Sequence, residues 1–423
     1  MLTKDFILKN QDLIIEREKV RNIDVTDIIR DIESMNEERK SLGSSQNELR
    51  EKQNTIAKQI GELVKAKKFD EIAPLKEAAS DNKAKTKEVE EKFADIDAKM
   101  HEKILLLPNV PNELVPAGKT DEDNVEVSNG GEIPTFDFEA LPHWELAKKH
   151  NLIDFELGVK ITGAGFPVYI DKGAKLQRAI INFLLNEGEK AGYKEHQVPI
   201  LVNEDSGYGT GQIPDKEGQM YHATEDNLYL IPTAEVPLTN IFRDVIVDEK
   251  DFPIKITGYT PSFRREAGSY GKDVKGLNRL HQFDKVEIVE VSHPNESDKR
   301  LDDMVSYVES LLTKLGLPYR IVRLCGGDLG FTSTMTYDFE IYSAGQGRWL
   351  EVSSVSNFKT FQANRLKLRY KDSETGKNTL AHTLNGSALA LPRLVATLLE
   401  NYQTVDGIEL PECLKPYLSF DKI

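Results

Sequence analysis

Between about Val25 and Leu107, apolar residues recur at heptad spacing and no strand-like run interrupts them. The first stripe is Ile28, Met35, Leu42, Leu49, Ile56 and Leu63, with a mixed companion set of Ile32, Arg39, Gln46, Gln53 and Ile60. After a break around Lys67 to Pro74, a second set follows in Leu75, Ala79, Val89, Phe93, Ile96 and Met100. A repeat of about 3.5 residues keeps one helix face against a partner, so the spacing predicts two long helices. The short break predicts an antiparallel hairpin, with Phe69 and Asp70 near the turn and Pro74 starting the return helix. Polar seam residues (Arg39, Gln46, Gln53, Asn82, Thr86) predict a slender arm in solvent. Pro108 and Pro111 then stop the second helix.

The polar, Gly-rich stretch that follows reads as a linker, and beyond it the pattern mixes helix and strand. Gly173 to Gly188 predicts an amphipathic helix, carrying Leu176, Ile180, Phe183 and Leu184 on one face. Tyr193 to Val202 predicts a strand bearing Pro199, and the glycines from Gly207 to Gly211 predict a loop. Leu228 to Pro232 predicts a short strand entering Thr233-Ala234-Glu235. An apolar run ends at Arg264-Arg265-Glu266, and a second run spans Leu280 to Val291. Between them lies a glycine-rich, basic connection (Gly268, Gly271, Lys272, Lys275, Gly276), far longer than the ~2–5 residues of an ordinary hairpin loop. Asp298 to Leu315 predicts a helix, Tyr319 to Leu324, Tyr337 to Ile341 and Trp349 to Val355 predict strands, and Ala388 to Tyr402 a final helix. Strands joined mostly as hairpins, with some helices between, predict an α+β fold on a mostly antiparallel sheet. The domains expected are an arm over 1–112, a linker over 113–135 and a mixed helix-and-strand body over 136–423.

Composition narrows the function classes. The 423 residues are 39% hydrophobic and 30% charged, the balance of a globular protein. No apolar run is long enough for a membrane span. The N-terminal residues carry charges through their apolar positions and lack a signal-peptide core. Cys325 and Cys413 are far apart and outside any CxxC, so neither a disulfide framework nor a zinc site is implied. A reduced, cytoplasmic protein is expected. The net charge of −15 argues against a broadly basic nucleic-acid surface, so any RNA contact must come from particular segments. Lys65, Lys67 and Lys68 near the arm tip, with Arg50, Lys52 and Lys58 along its first helix, are such a segment. An oligomerisation coiled coil with a solvated charged face fits the same residues.

Dense charge on strands needs a partner, because a buried unpaired guanidinium or carboxylate is costly. A polyanion bearing an amino group, such as ATP or an aminoacyl-adenylate, would satisfy both signs. Arg264 and Glu266 alternate onto one strand face, where Arg264 can grip a phosphate or carboxylate and Glu266 can accept from an amino group; a cross-strand ion pair fits equally. Phe283 and Glu287 also share a face. Thr233 and Glu235 at a loop mouth can hold an ammonium group, or form a helix cap with its first-turn acid. Glu351-Val352-Ser353-Ser354 places an acid and a hydroxyl on the same side, suited to a hydrated divalent ion and phosphate oxygens, or to an exposed strand end. Asn385, Gly386 and Ser387 offer small polar groups beside a helix carrying Arg393, whose alternative is a surface salt bridge worth at most ~1 kcal/mol.

The order of these segments resembles class II aminoacyl-tRNA synthetases, and among them the bacterial-type seryl-tRNA synthetase family, over essentially the whole chain. Gly173 to Pro199 resembles the family's first motif, which builds a dimer interface. FRREAGSYGKDVKGLNRLHQFDKVE (Phe263 to Glu287) is similar to the second, and His382 to Gln403 to the third. The resemblance implies a homodimeric serine–tRNA ligase that makes seryl-adenylate from L-serine and ATP with Mg²⁺. The acyl group then passes to the 3′ end of tRNA(Ser), and of tRNA(Sec) where present. The arm would meet the tRNA's long variable arm, and neither a membrane, DNA nor zinc is implied as a partner. By resemblance, Arg264 meets the α-phosphate and the amino-acid carboxylate, and Glu266 the adenine amino group. Phe283 stacks on the adenine, with Arg393 on its far side or near the γ-phosphate. Arg279 meets the outer phosphates, and Glu351 and Ser354 hold Mg²⁺ and phosphate. Arg265, Val352 and Ser353 complete the ATP site. Thr233, Ala234, Glu235, Glu287, Asn385 and Ser387 surround serine together with Arg264, and catalysis falls to Arg264, Glu351 and Arg393.

One departure from the third motif is Leu391-Pro392-Arg393, where small residues and Gly-Arg are common in the family. A proline is tolerated only in a helix's first turn, so the helix is expected to start or kink there. Two other readings remain at this point: a paralogue that charges a carrier protein, which would lack the arm, and a non-catalytic adaptor, which would have lost the charged site residues.

Overall fold

The computed structural model describes residues 1–215, 218–266 and 275–423. Gly268, Gly271 and Lys272 of the expected connection lie outside the described residues. The chain divides into two compact units: residues 2–18 with 23–108, and residue 1 with 19–22 and 109–423. Among the described residues, no helix is long and apolar enough to cross a membrane.

The first unit is dominated by α1 (Thr26–Lys65) and α2 (Ile72–Ile104), joined by a 3₁₀ turn at Phe69–Glu71. At 1.5 Å per residue, α1 is about 60 Å long. The pairing runs antiparallel: Lys103 meets Asp31, Arg39 meets Asp97 and Arg50 meets Glu90. Pro74 lies in the first turn of α2, as its missing N–H demands. Ile32, Ile56, Ile96 and Met100 are buried in the seam, while near the base Ile29 and Asn36 are buried where Ile28 and Met35 were expected. The polar seam residues interlock. Asn82, 2% exposed, donates through Nδ2 to Leu49 O and Gln53 Oε1, both at 2.9 Å. The Arg39 guanidinium lies 4.8 Å from the Phe93 ring centroid.

The second unit is built on an eight-stranded sheet. In chain order its strands are β1 (Val125–Gly130), β2 (Lys194–Glu195), β3 (Ile254–Phe263), β4 (Gln282–Ser292), β5 (Tyr319–Arg323), β6 (Met335–Ser343), β7 (Arg348–Lys359) and β8 (His382–Ala390). Their order in the sheet is β1-β5-β6-β7-β8-β4-β3-β2, antiparallel except where β2 lies parallel to β3. The helices that concern the site are α3 (His143–Lys149), α4 (Lys172–Lys190), α5 (Ser297–Lys314) and α6 (Leu391–Asn401). Alternation on β4 sends Val286 and Ile288 into a core shared with Leu176, Ile180 and Leu184 of α4, Met304 and Val308 of α5, and Leu394 and Leu398 of α6. Val289 and Val291 enter a smaller core with Leu238 and Leu366.

Four expectations differ from the structure. The stretch expected as a linker supplies the edge strand β1, paired with β5. Tyr193 to Val202 is not one strand but two short pieces, Lys194–Glu195 and Leu201–Val202, because Pro199 has no N–H to donate. Gly207 and Gly209 lie in a helix, Glu204–Thr210, which Asn203 caps by accepting from Ser206 N and which ends at Gly211 with φ 95°. Finally, Ala388 to Ala390 continue β8, and the last helix begins at Leu391 with Pro392 in its first turn, as the proline rule requires.

Asn82→Ala removes a buried double donor and leaves Leu49 O and Gln53 Oε1 to water. We expect a loss of about 1–2 kcal/mol in denaturant unfolding of the arm, read by the helical signal. An unchanged midpoint would mean that this contact does not hold the register.

Candidate active site

Strand β3 ends at Phe263, and Arg264 N still donates to His281 O (3.0 Å), extending the hairpin by one pair. Arg265 N then donates to Gln219 O, and Glu266 takes φ 48°. Arg264 and Glu266 therefore follow the strand rather than alternating along it, yet both reach one cavity. The Arg264 guanidinium stands 5.2 Å from the Phe283 ring centroid, and its Nε donates to Pro232 O. Glu266 pairs with Arg279 at 3.4 Å.

This first cavity, of about 210 Å³, is also lined by Asn278, Lys285, Glu351, Ser353, Ser387 and Arg393. Arg393, in the first turn of α6, donates from Nε to Asn278 O (3.0 Å) and from Nη1 to Glu351 O (2.7 Å), with the Glu351 carboxylate 3.5 Å away. Ser353 Oγ donates to Ser387 O at 2.6 Å. Plain alternation would put Glu351 and Ser354 on opposite faces. Pairing of Phe339 with Ser353 and of Glu340 with Glu351 leaves Val352 as an extra residue, and this bulge restores the shared side. The Val352 side chain itself is in the core, 1% exposed.

A second cavity of about 650 Å³ adjoins the first, with Arg264, Glu266, Arg279, Lys285 and Ser387 on the walls of both. It holds Thr233, Glu235, Glu287, Ser354 and Asn385. Glu287 is 1% exposed, and Lys285 Nζ lies 2.8 Å from its Oε2. Asn385 Nδ2 donates to its Oε1 at 2.9 Å, with Ser387 Oγ at 3.4 Å. Glu235 accepts from Gln362 Nε2 at 2.6 Å. Burial first, and the Glu287 charge second, push its carboxyl up to about 7. Of these two buried carboxylates, Glu287 is the one paired with a lysine among the described residues. Among the expected site residues, Ala234 is instead packed in the smaller core and Arg265 lies off both cavity walls.

Lys285, Gln362 and Asp338 belong to this site but were not among the expected residues. Lys285 was within reach, since it alternates with Phe283 and Glu287 on β4. Gln362 comes from a distant short helix, Thr360–Leu366, and has no local signal. Asp338 sits opposite Ser354 on β6, and burial with the Glu351 charge raises its carboxyl well above the usual range. Among the described residues, its buried Oδ1 has no hydrogen-bond partner. Among the described residues no three His, Cys, Asp or Glu side chains gather as a metal cage.

Comparison with known proteins gives concordant matches at both ends of the chain. Residues 1–111 match the family model of the seryl-tRNA synthetase N-terminal domain, and residues 219–402 match that of the tRNA synthetase class II core domain (G, H, P, S and T). The chain is 47% identical to the serine–tRNA ligase of Salinibacter ruber, over 100% of this chain and 99% of that protein. It is 46% identical to that of Nautilia profundicola, over 99% of each. Among solved structures, seryl-tRNA synthetase from Pyrococcus horikoshii complexed with ATP superposes with a TM-score of 0.94 at 31% identity, covering 100% of this chain and 99% of that one.

The raised Glu235 carboxyl makes a pH prediction. A raised folded-state pKa contributes stability that is fully present below the unfolded value and lost as pH rises through the folded one, here from about 4.5 to about 7. Glu235→Gln removes that term. Between pH 5 and 8 the variant should therefore lose roughly 2–3 kcal/mol less stability than the unaltered chain in urea unfolding. Parallel pH profiles would show that Glu235 ionises in the folded protein without penalty.

Proposed function

The chain belongs to the seryl-tRNA synthetase family and works as a serine–tRNA ligase, and we propose that its two adjoining cavities divide the first half-reaction between them. The first takes ATP: Phe283 offers a ring face to adenine, Glu266 accepts from the adenine amino group, and Arg279 and Arg393 face the phosphates. The second takes L-serine: Glu235 receives the ammonium group, with Thr233 beside it. Glu287, Asn385 and Ser387 offer hydrogen bonds to the hydroxyl. The observation that carries this reading is the position of Arg264, whose side chain lies on the walls of both cavities. There its guanidinium can hold the serine carboxylate and the α-phosphate together.

With the two substrates so held, a serine carboxylate oxygen attacks the α-phosphorus in line and the bond to pyrophosphate breaks. Positioning and charge neutralisation are what the protein contributes. In the second half-reaction a ribose hydroxyl at the tRNA 3′ end attacks the acyl carbon, and AMP leaves. Mg²⁺ fits the chemistry of the acidic pair Glu351 and Asp338, the latter with a buried Oδ1 that has no partner among the described residues, and Ser354 stands beside it. When bound, the ion would neutralise phosphate charge, its shell completed by water and phosphate oxygens. Serine is chosen over alanine because alanine would leave the buried polar groups around Glu287 unpaired. The arm is the tRNA-binding element, its tip carrying Lys65, Lys67, Lys68 and an exposed Phe69. We extend the acceptor to tRNA(Sec) where the cell has one, and the assembly to a homodimer in the cytoplasm.

ATP–pyrophosphate exchange without tRNA tests the activation step. Exchange should depend on serine and fail with alanine, glycine and proline, and Arg264→Ala should lower kcat/KM by about 10³-fold or more. Exchange driven best by another amino acid would overturn the pocket assignment. The arm is tested separately. Replacing Lys65, Lys67 and Lys68 by alanine should leave exchange unchanged while lowering kcat/KM for tRNA aminoacylation, with a weaker salt dependence. Equal loss in both assays would remove the tip from tRNA recognition.

A further inference from the structure

Arg393 is held from behind the first cavity by a buried ring of hydrogen bonds whose outer members touch neither cavity. The chain returning to β4 passes directly over α3. Gly276 takes φ 66°, and a Cβ there would lie 2.2 Å from His143 Nε2, so only glycine allows the approach. The next residue, Leu277, donates its N–H to His143 Nε2 at 2.8 Å. That bond requires Nε2 to be bare, which puts the imidazole proton on Nδ1, and Nδ1 lies 2.7 Å from Glu400 Oε1. The Lys275 ammonium stands 4.4 Å from the ring centroid of Trp144, the residue after His143.

Glu400 is fully buried near the end of α6, the helix whose first turn carries Arg393. It also accepts from His143 N (2.9 Å), Gly345 N (3.0 Å), Gln346 Nε2 (3.1 Å) and Ser343 Oγ. Burial alone would raise this carboxyl, but the hydrogen bonds, led by His143, hold it below its ordinary value. Gln346 Oε1 accepts from Asn278 Nδ2 at 2.9 Å, and Asn278 O accepts from Arg393 Nε at 3.0 Å. The ring therefore runs from Glu400 through His143 to Leu277 and Asn278, and on to the Arg393 guanidinium.

We propose that His143 and Glu400 are positioning residues for nucleotide binding: they fix the Leu277–Asn278 backbone, and through Asn278 O the orientation of Arg393. This rests on the reading of the first cavity as the ATP site. His143 and Glu400 touch no substrate, so they act only through the groups they hold. A side-chain carboxylate buried this deeply, with five donors aimed at it, is rigid, and rigidity is what a guanidinium aimed at a phosphate needs.

The test is calorimetric ATP binding without amino acid, beside serine KM in exchange and the thermal midpoint. His143→Ala should weaken ATP binding about tenfold while serine KM stays within about twofold. His143→Gln places an amide oxygen near the lost Nε2, can still accept from Leu277 N, and should recover most of that loss. Where His143→Ala does not fold, half-buried Gln346→Ala cuts the link to Asn278 with the His143–Glu400 pair intact, and should weaken ATP binding about threefold. Lowered thermal midpoints with unchanged ATP affinity in the folded variants would overturn the inference and leave the ATP site standing. No ATP binding by the unaltered chain would overturn that site, and the inference with it.

Discussion

The alternation of side chains along Gln282–Ser292 is the constraint on which the rest of the catalytic body depends. On one face, Val286 and Ile288 are fully buried in the main core. On the other, Phe283, Lys285 and Glu287 line the two cavities. Because the period is two, a slip of one residue would bury the ion pair in hydrocarbon and turn valine and isoleucine into the site. The hydrophobic core therefore fixes the register, and the register aims the chemistry. Strand β3 on one side and β8 on the other hold it there, the second bringing Asn385 and Ser387 opposite Val289 and Glu287.

Charges brought so close to a core must be matched. Glu287 has Lys285, Asn385 and Ser387 around it, which covers most of what its oxygens can accept. Glu235 has one amide donor and remains the less satisfied carboxyl. That asymmetry separates the two acids chemically: one is a well-satisfied acceptor, and the other is a carboxyl whose charged form burial disfavours. The same difference distinguishes Glu351, held near Arg393, from Asp338, whose carboxyl is raised well above the usual range by burial and the nearby Glu351 charge.

The sequence made some of this legible and hid the rest for physical reasons. The arm was readable because a heptad repeat is local and redundant, so a one-residue drift from Ile28 to Ile29 leaves the hairpin intact. The start of the last helix was readable because proline has only one helical use. Phe283 and Glu287 followed from the two-residue period, and Lys285 should have. What could not be read was set by partners distant in the chain. Gln362 reaches Glu235 from a helix more than a hundred positions on, and Asp338 faces Ser354 only because β6 pairs with β7. The bulge at Val352 is a property of two strands, invisible in either. The GYGTG run looked like a loop by composition, but Asn203 and Gly211 supply the cap and stop that make it a helix.

A chain with net charge −15 must still bind two polyanions, and the site shows how the conflict is resolved. Three of its cations are matched by acids: Arg279 pairs with Glu266, Lys285 with Glu287, and Arg393 with Glu351. Each acid holds a flexible cation in place before a phosphate or carboxylate arrives, so less side-chain freedom is lost on binding. The exposed pairs, at 3.4 and 3.5 Å, are loose enough to exchange for a ligand oxygen. The buried pair at 2.8 Å is not, because separating it would strand a charge in the core. Arg279 is thus the cation suited to exchange partners, while Arg393, tied through Nε to Asn278 O, and the buried Lys285–Glu287 pair stay fixed.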